Sequence, residues 1–261
     1  MQGPGHHGVI EEDTANIIRI PWNDVEALER VVADSPGQIA GFISSPLHHP
    51  IFTDNELPAP HYWERVEALL RANGIVFIID DVRAGFRLHM GGSCEHYGFT
   101  PDLICFCKAI GNGYPISALV GGDALRGDVS KVFHTGSYWY GAGPMAAALA
   151  NLQELRRING PRLLSETGGL LAAGMVDAAR SNGFDLRISG EPSMLYARIT
   201  DDPTLEMQQR WCGECARRGV FITSHHNWFV STAHTRKDIE DTVAVCDEAF
   251  KAVRAFYGSG I

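Results

Sequence analysis

The chain has 261 residues, 45% of them hydrophobic, and a net charge of −9, enough material to bury one sizeable core or two modest ones. Its 22 Lys and Arg residues are scattered and form no basic stripe, so nucleic acid is excluded as an expected partner. No apolar run approaches the roughly 20 residues that cross a bilayer, and Met1-Gln2-Gly3-Pro4-Gly5-His6-His7 lacks the charged-then-apolar order of a signal peptide. No membrane contact is expected, and the cytoplasm is the expected location.

Taken in chain order, Asp24 to Ala33 sets Val25, Leu28, Val31 and Val32 at helical spacing, and Ile39 to Ser44 reads as a strand. Next, His61 to Ala72 lines up Tyr62, Trp63, Val66, Leu69 and Leu70 on one helical face, stopped by Asn73-Gly74 before a buried strand over Ile75 to Ile79. Leu103 to Cys107 and Ile116 to Val120 supply two more strands. Short apolar runs alternating with amphipathic segments predict an α/β fold with a parallel-type sheet covered by helices.

Met145 to Ile158 and Arg162 to about Ser181 read as long helices separated by Asn159-Gly160-Pro161. Beyond them a small α+β unit is expected: a strand near Met194 to Ile199, a helix from Thr204 to Arg218, strands at Val220 to Thr223 and Trp228 to Ser231, and a helix from Lys237. That last helix places Ile239, Val243, Cys246, Phe250, Val253 and Tyr257 on one face, expected to pack on the small sheet. The boundary falls near residue 160, giving a partial large domain over 1–160 and a small domain over 161–261.

The six cysteines offer no second pair at zinc-site spacing beside Cys212 and Cys215, and Cys105 and Cys107 read as buried packing within a strand. The doublets His6-His7, His48-His49 and His225-His226 make poor chelates, because adjacent strand residues face opposite ways. No metal is expected.

Two strand ends carry the chemistry. Ile75 to Ile79 runs into Asp80-Asp81-Val82, placing acids at the carboxyl end of a buried strand, where open α/β sheets put their ligand sites. Leu103 to Cys107 runs into Lys108, expected to be shielded from water in a setting that favours its neutral amine. A lysine amine and a carboxylate suit pyridoxal 5′-phosphate (PLP), whose aldehyde needs an amine and whose ring nitrogen needs a carboxylate. The same spacing also fits an aspartate that caps a helix and a lysine that snorkels to solvent.

The stretch Phe77-Ile-Ile-Asp-Asp-Val-Arg-Ala-Gly-Phe-Arg87, with Gly91-Gly92, Tyr97-Gly98, Thr100-Pro101-Asp102-Leu103, Lys108-Ala-Ile-Gly-Asn-Gly113 and Pro115, resembles class III aminotransferases and their glutamate-1-semialdehyde aminomutase-like branch. Similarity runs from Trp22 to Ala233-His234-Thr235 and Asp238-Ile239-Glu240. The resemblance implies a PLP-dependent transferase of fold type I. Asp80 would pair with the ring nitrogen, Lys108 would be the Schiff-base lysine and proton shuttle, and Val82 would lie against the ring. Ser137 would reach the cofactor phosphate of a neighbouring subunit, implying a homodimer.

The implied reaction is amino-group transfer, as an aminotransferase or aminomutase, on a small amino-acid-like or amine substrate. Racemase or decarboxylase chemistry on the same residues, or a non-catalytic PLP-fold subunit, stays open. Tyr138-Trp139-Tyr140 would wall the pocket or fill an interface, and His225-His226-Asn227 could face the site mouth. The chain departs from the family in Ser45-Pro46 for its usual Glu-Pro and in Asp81 for its usual Glu. The family's upstream portion, with its phosphate-cradling loop, has no counterpart here, so the chain is expected to be a fragment, a subunit completed by another polypeptide, or a shortened form that binds PLP poorly or not at all.

Overall fold

The Asp24 carboxylate accepts the Ala27 N–H at 2.7 Å, and this cap starts helix α1 (Val25–Asp34). The computed structural model describes residues 8–258; the stretch from Met1 to His7, with its histidine doublet and the signal-peptide question, lies outside them. Buried Val25, Leu28 and Val32 of α1 join buried Tyr62, Trp63, Val66 and Leu70 of α2 (Tyr62–Ala72) in one core with Phe77, Ile79 and Phe99. Trp63 stacks on Phe99 at 4.7 Å and on Phe77 at 5.8 Å, contacts each worth about 1 kcal/mol beyond area burial. Gly74, at φ +65°, turns the chain out of α2 into the sheet.

Strands β1 (Gly41–Ser44), β2 (Val76–Asp80) and β3 (Leu103–Phe106) are parallel, and β4 (Ala118–Gly121) completes the order β1-β2-β3-β4. A short helix α3 (Ser93–Tyr97) lies between β2 and β3. The fourth strand runs antiparallel to β3 and makes the parallel-type sheet mixed at that edge. Too little chain separates Phe106 from Ala118 for a crossover helix, and a parallel return needs a dozen or more residues. Cys105 and Cys107 are half-buried, short of the full burial expected of a central strand.

Helix α4 (Ala142–Ile158) ends on left-handed Asn159, and α5 (Gly160–Ser181) begins at once with Pro161 in its first turn. Next come β5 (Leu186–Ser189), antiparallel β6 (Tyr196–Ile199), α6 (Glu206–Arg217) and α7 (Arg236–Tyr257). A capping box between Thr235 and Asp238 opens α7. Fully buried Trp211, Met175, Cys215, Cys246 and Phe250 centre this second core.

The elements of this part depart from those expected. β5 was not legible, and the strands expected over 220–223 and 228–231 do not form as regular strands. That segment bonds singly to the turn before β6, through Trp228 N–H to Leu195 O at 2.7 Å and Val230 N–H to Ser193 O at 3.4 Å. Most of its apolar residues enter the core, where Val230 is buried with Val220, Ile222 and Trp228 against it, while Phe221 stays exposed. Finally, α7 packs on α5 and α6 within the core that also takes Leu186, Ala197 and Ile199 of the small sheet, and its Tyr257 is exposed. Among the described residues no helix is long and apolar enough to cross a membrane.

Candidate active site at the strand ends

Strand β2 alternates buried Phe77 and Ile79 with half-buried neighbours and delivers Asp80 at its carboxyl end. Asp80 lies opposite Cys105 in the β2–β3 ladder. Its Oδ1 accepts the Val82 N–H at 3.1 Å, a local turn that fixes half-buried Val82 just beyond. The other oxygen, Oδ2, has no hydrogen bond among the described residues.

Lys108 corrects the sequence reading. It is exposed, not shielded, because β3 ends at Phe106 and Lys108 opens a 3-10 turn (Lys108–Ile110) in the left-handed region, at φ +47°. That turn lifts the side chain out of the apolar layer. A left-handed lysine costs about 1 kcal/mol or more, and the surroundings enforce it. Lys108 O accepts the Gly111 and Asn112 N–H groups, and Asn151 of α4 donates to Ala109 O at 2.7 Å and Ile110 O at 3.2 Å.

The chain has four lysines. Lys131, Lys237 and Lys251 each hold a carboxylate within 3 Å, whereas Lys108 has no ion pair among the described residues. Neighbouring strands lie roughly 5 Å apart, and Lys108 follows Cys105, the ladder partner of Asp80, by three positions across that gap. Side chains converging across that gap can hold the two ends of one small ring.

Behind Asp80, Asp81 is buried, with its Oδ2 taking the Ser93 N–H at 2.7 Å. Burial pushes this carboxyl up to about 6; the Ser93 donor pulls against that shift and the charge of Asp80 adds to it. Gly92, at φ +98°, makes the close approach possible: a Cβ there would sit 3.0 Å from Asp81 Oδ2 and 3.1 Å from the Phe106 ring.

The mouth holds a group the sequence reading passed over. Arg83 Nη1 donates to Asn227 Oδ1 at 3.1 Å, Asn227 Nδ2 donates to Met194 O at 3.3 Å, Arg87 Nη1 donates to Arg83 O at 2.5 Å, and the Arg87 guanidinium lies 4.5 Å over the Phe229 ring. Burial lowers both guanidinium pKa values, that of Arg87 to about 10, and His49 falls to about 4 through burial first and the charge of Arg83 second. The available signal was two arginines four positions apart directly after the strand-end acids. Asn227 joins this group from the C-terminal core.

Ser137 is not brought to Asp80 and Lys108 by any hydrogen bond. It sits in an exposed loop where Phe133, Tyr138 and Tyr140 are 89, 90 and 87% exposed. Rings so bare wall no closed pocket within the described residues of this chain.

A mostly parallel sheet flanked by helices, with an acid and, among the described residues, an unpaired amine at adjacent carboxyl ends, defines the chain as an α/β protein with a candidate strand-end site. It belongs to the class-III aminotransferase family, whose model matches residues 3–249. It is 33% identical over 98% of its length to the aminopentol aminotransferase of Sphingopyxis macrogoltabida, and 30% identical over 95% to a glutamate-1-semialdehyde 2,1-aminomutase of Sulfurihydrogenibium azorense. The chain spans 61% of the length of each. The PLP internal aldimine form of the FumI protein from Sphingopyxis sp. MTA144 superposes with a TM-score of 0.95 at 33% identity, over 98% of this chain and 62% of that one. An omega-transaminase of Sphaerobacter thermophilus, 23% identical with a TM-score of 0.83 over 96% of this chain and 60% of that one, shares the fold. The cofactor of the family is PLP. The residues present suit it, since the free Asp80 oxygen can accept a proton donor and the unpaired Lys108 amine can meet an aldehyde.

Proposed function

We propose that this chain carries the chemical centre of a PLP-dependent enzyme that moves an amino group, as an aminotransferase or aminomutase, on a small amino-acid-like or amine substrate. The observation that carries the proposal is Lys108: the one lysine without a carboxylate partner among the described residues, held in a left-handed turn beside the strand that ends in Asp80. Bound PLP supplies an electron-accepting ring conjugated to an aldehyde. Asp80 would hold the ring nitrogen protonated through Oδ2. Lys108 Nζ would hold the cofactor and, as a free amine, would take and return the proton at the substrate carbon. Val82, fixed by the Asp80 turn, would lie against the ring face.

Ser137 serves the phosphate site of a second copy, which makes the working form a homodimer or an assembly with a completing chain; the bare aromatic rings beside it support this. Left-handed Asn159 between α4 and α5 is read as the boundary between a partial large domain (1–160) and a small one (161–261). Six free cysteines fit a reducing compartment, the cytoplasm.

The test is titration of purified protein with PLP. A visible absorbance that borohydride fixes in the wild type, is missing in Lys108→Ala and bleaches with an amino donor is the expected result. A folded wild-type protein that develops no such absorbance would refute the assignment.

A further inference from the structure

Arg83 and Arg87 lie where three segments converge: residues 48–49 after β1, residues 82–88 after β2, and residues 226–229 of the C-terminal core. Beneath them Leu47, Ala84 and Met194 are buried together, with Leu88 and Phe229 against them, so the arginines stand on an apolar floor that joins the two parts of the chain. Each is half-buried, and neither has a carboxylate within 4 Å among the described residues.

Paired burial of like charges is costly unless something of opposite sign meets them. Asp80 is the acid whose charge reaches Arg83, and that carboxylate is already committed on the reading given above. What the two guanidiniums do contact is neutral: Asn227 Oδ1, a backbone oxygen and an aromatic face. Each spends one nitrogen, Nη1, leaving Nε and Nη2 without an acceptor. A guanidinium edge with two parallel N–H groups matches a planar carboxylate. His49, held neutral by its surroundings, adds a ring nitrogen without adding charge. In a chain of net charge −9 this concentration of unneutralised cations is local and specific.

We propose that Arg83 and Arg87, flanked by His49 and Asn227, form an anion subsite that takes a carboxylate of the amino substrate at the seam beside Asp80. The inference rests on reading the strand ends as the substrate pocket and names the substrate class as an amino acid bearing a free carboxylate. Asn227, from the C-terminal core, orients Arg83 from across the seam.

Calorimetric titration with glutarate, its uncharged diamide and inorganic phosphate, with PLP present and absent, tests this independently of PLP capture at Lys108. Wild type is expected to bind glutarate at least tenfold more tightly than the diamide or phosphate. Arg83→Gln and Arg87→Gln are each expected to weaken glutarate tenfold or more with no change toward the diamide, and Arg83→Lys to fall between. If Arg87→Gln loses its far-ultraviolet circular dichroism, the Arg83 pair decides. Equal binding of glutarate and diamide, tighter binding of phosphate, or glutarate affinity unchanged in Arg83→Gln would each overturn the subsite. Loss of PLP capture with glutarate binding intact would instead remove the reading of the strand ends as a PLP site.

Discussion

Asp80 stands opposite Cys105 in the parallel ladder between β2 and β3, so the carboxylate and the amine three positions past Cys105 leave neighbouring strands at the same edge of the sheet. The aspartate is held by its own turn with Val82 and the lysine by a left-handed turn tied to α4.

Asp80→Asn is expected to retain PLP binding and lose most turnover, on the order of a hundredfold or more, since a neutral amide cannot hold the ring nitrogen protonated. Steady-state kinetics on the PLP-loaded variant checks this. Activity equal to wild type would remove Asp80 from the role.

Asp81 should make the fold sensitive to alkaline more than to acid conditions over its own range. Its carboxyl is raised from 3.8 to about 6, so the folded state favours the protonated form. The associated penalty is absent below about pH 4, grows through pH 4 to 6 and is complete above, at roughly 3 kcal/mol. Melting curves of wild type and Asp81→Asn should differ more at pH 7.5 than at pH 4, with the variant gaining; a gap that does not change with pH would count against this.

Gly92→Ala is expected to cost about 2 kcal/mol, combining left-handed strain with the close Asp81 and Phe106 contacts. Thermal unfolding reads it directly. A change under 0.5 kcal/mol, within the ordinary surface range, would show that the Asp81 pocket relaxes freely.

The bare rings of Phe133, Tyr138 and Tyr140 and the exposed Leu119 and Val120 of edge strand β4 predict self-association. Light scattering should find a dimer or larger species, shifted downward by serine at the three rings. A monodisperse wild-type monomer would contradict the interface reading.

Much of this was legible in the residues. Helical spacing located α1 and α2 within a residue or two, and the apolar runs ending in Asp80 and Lys108 located β2 and β3, because a buried parallel strand must be apolar throughout and must stop where polar residues begin. What escaped has common causes. The direction of β4 depends on loop length and not on its own residues. β5, Leu-Arg-Ile-Ser, is too short to show a period. The Val220 and Trp228 stretches satisfy a core without forming a ladder. The exposure of Lys108 follows from one backbone angle, and the pairing of Arg83 with Asn227 joins residues 144 positions apart, beyond any local pattern.

Peptide mapping after borohydride reduction of the PLP-treated protein goes to the centre of the account. Blocked at Lys108, trypsin should release one peptide running from Leu88 to Arg126 that carries the added pyridoxyl mass, with Lys131, Lys237 and Lys251 unmodified. Adduct spread over those exposed lysines, or cleavage after an unmodified Lys108 in folded protein, would contradict it.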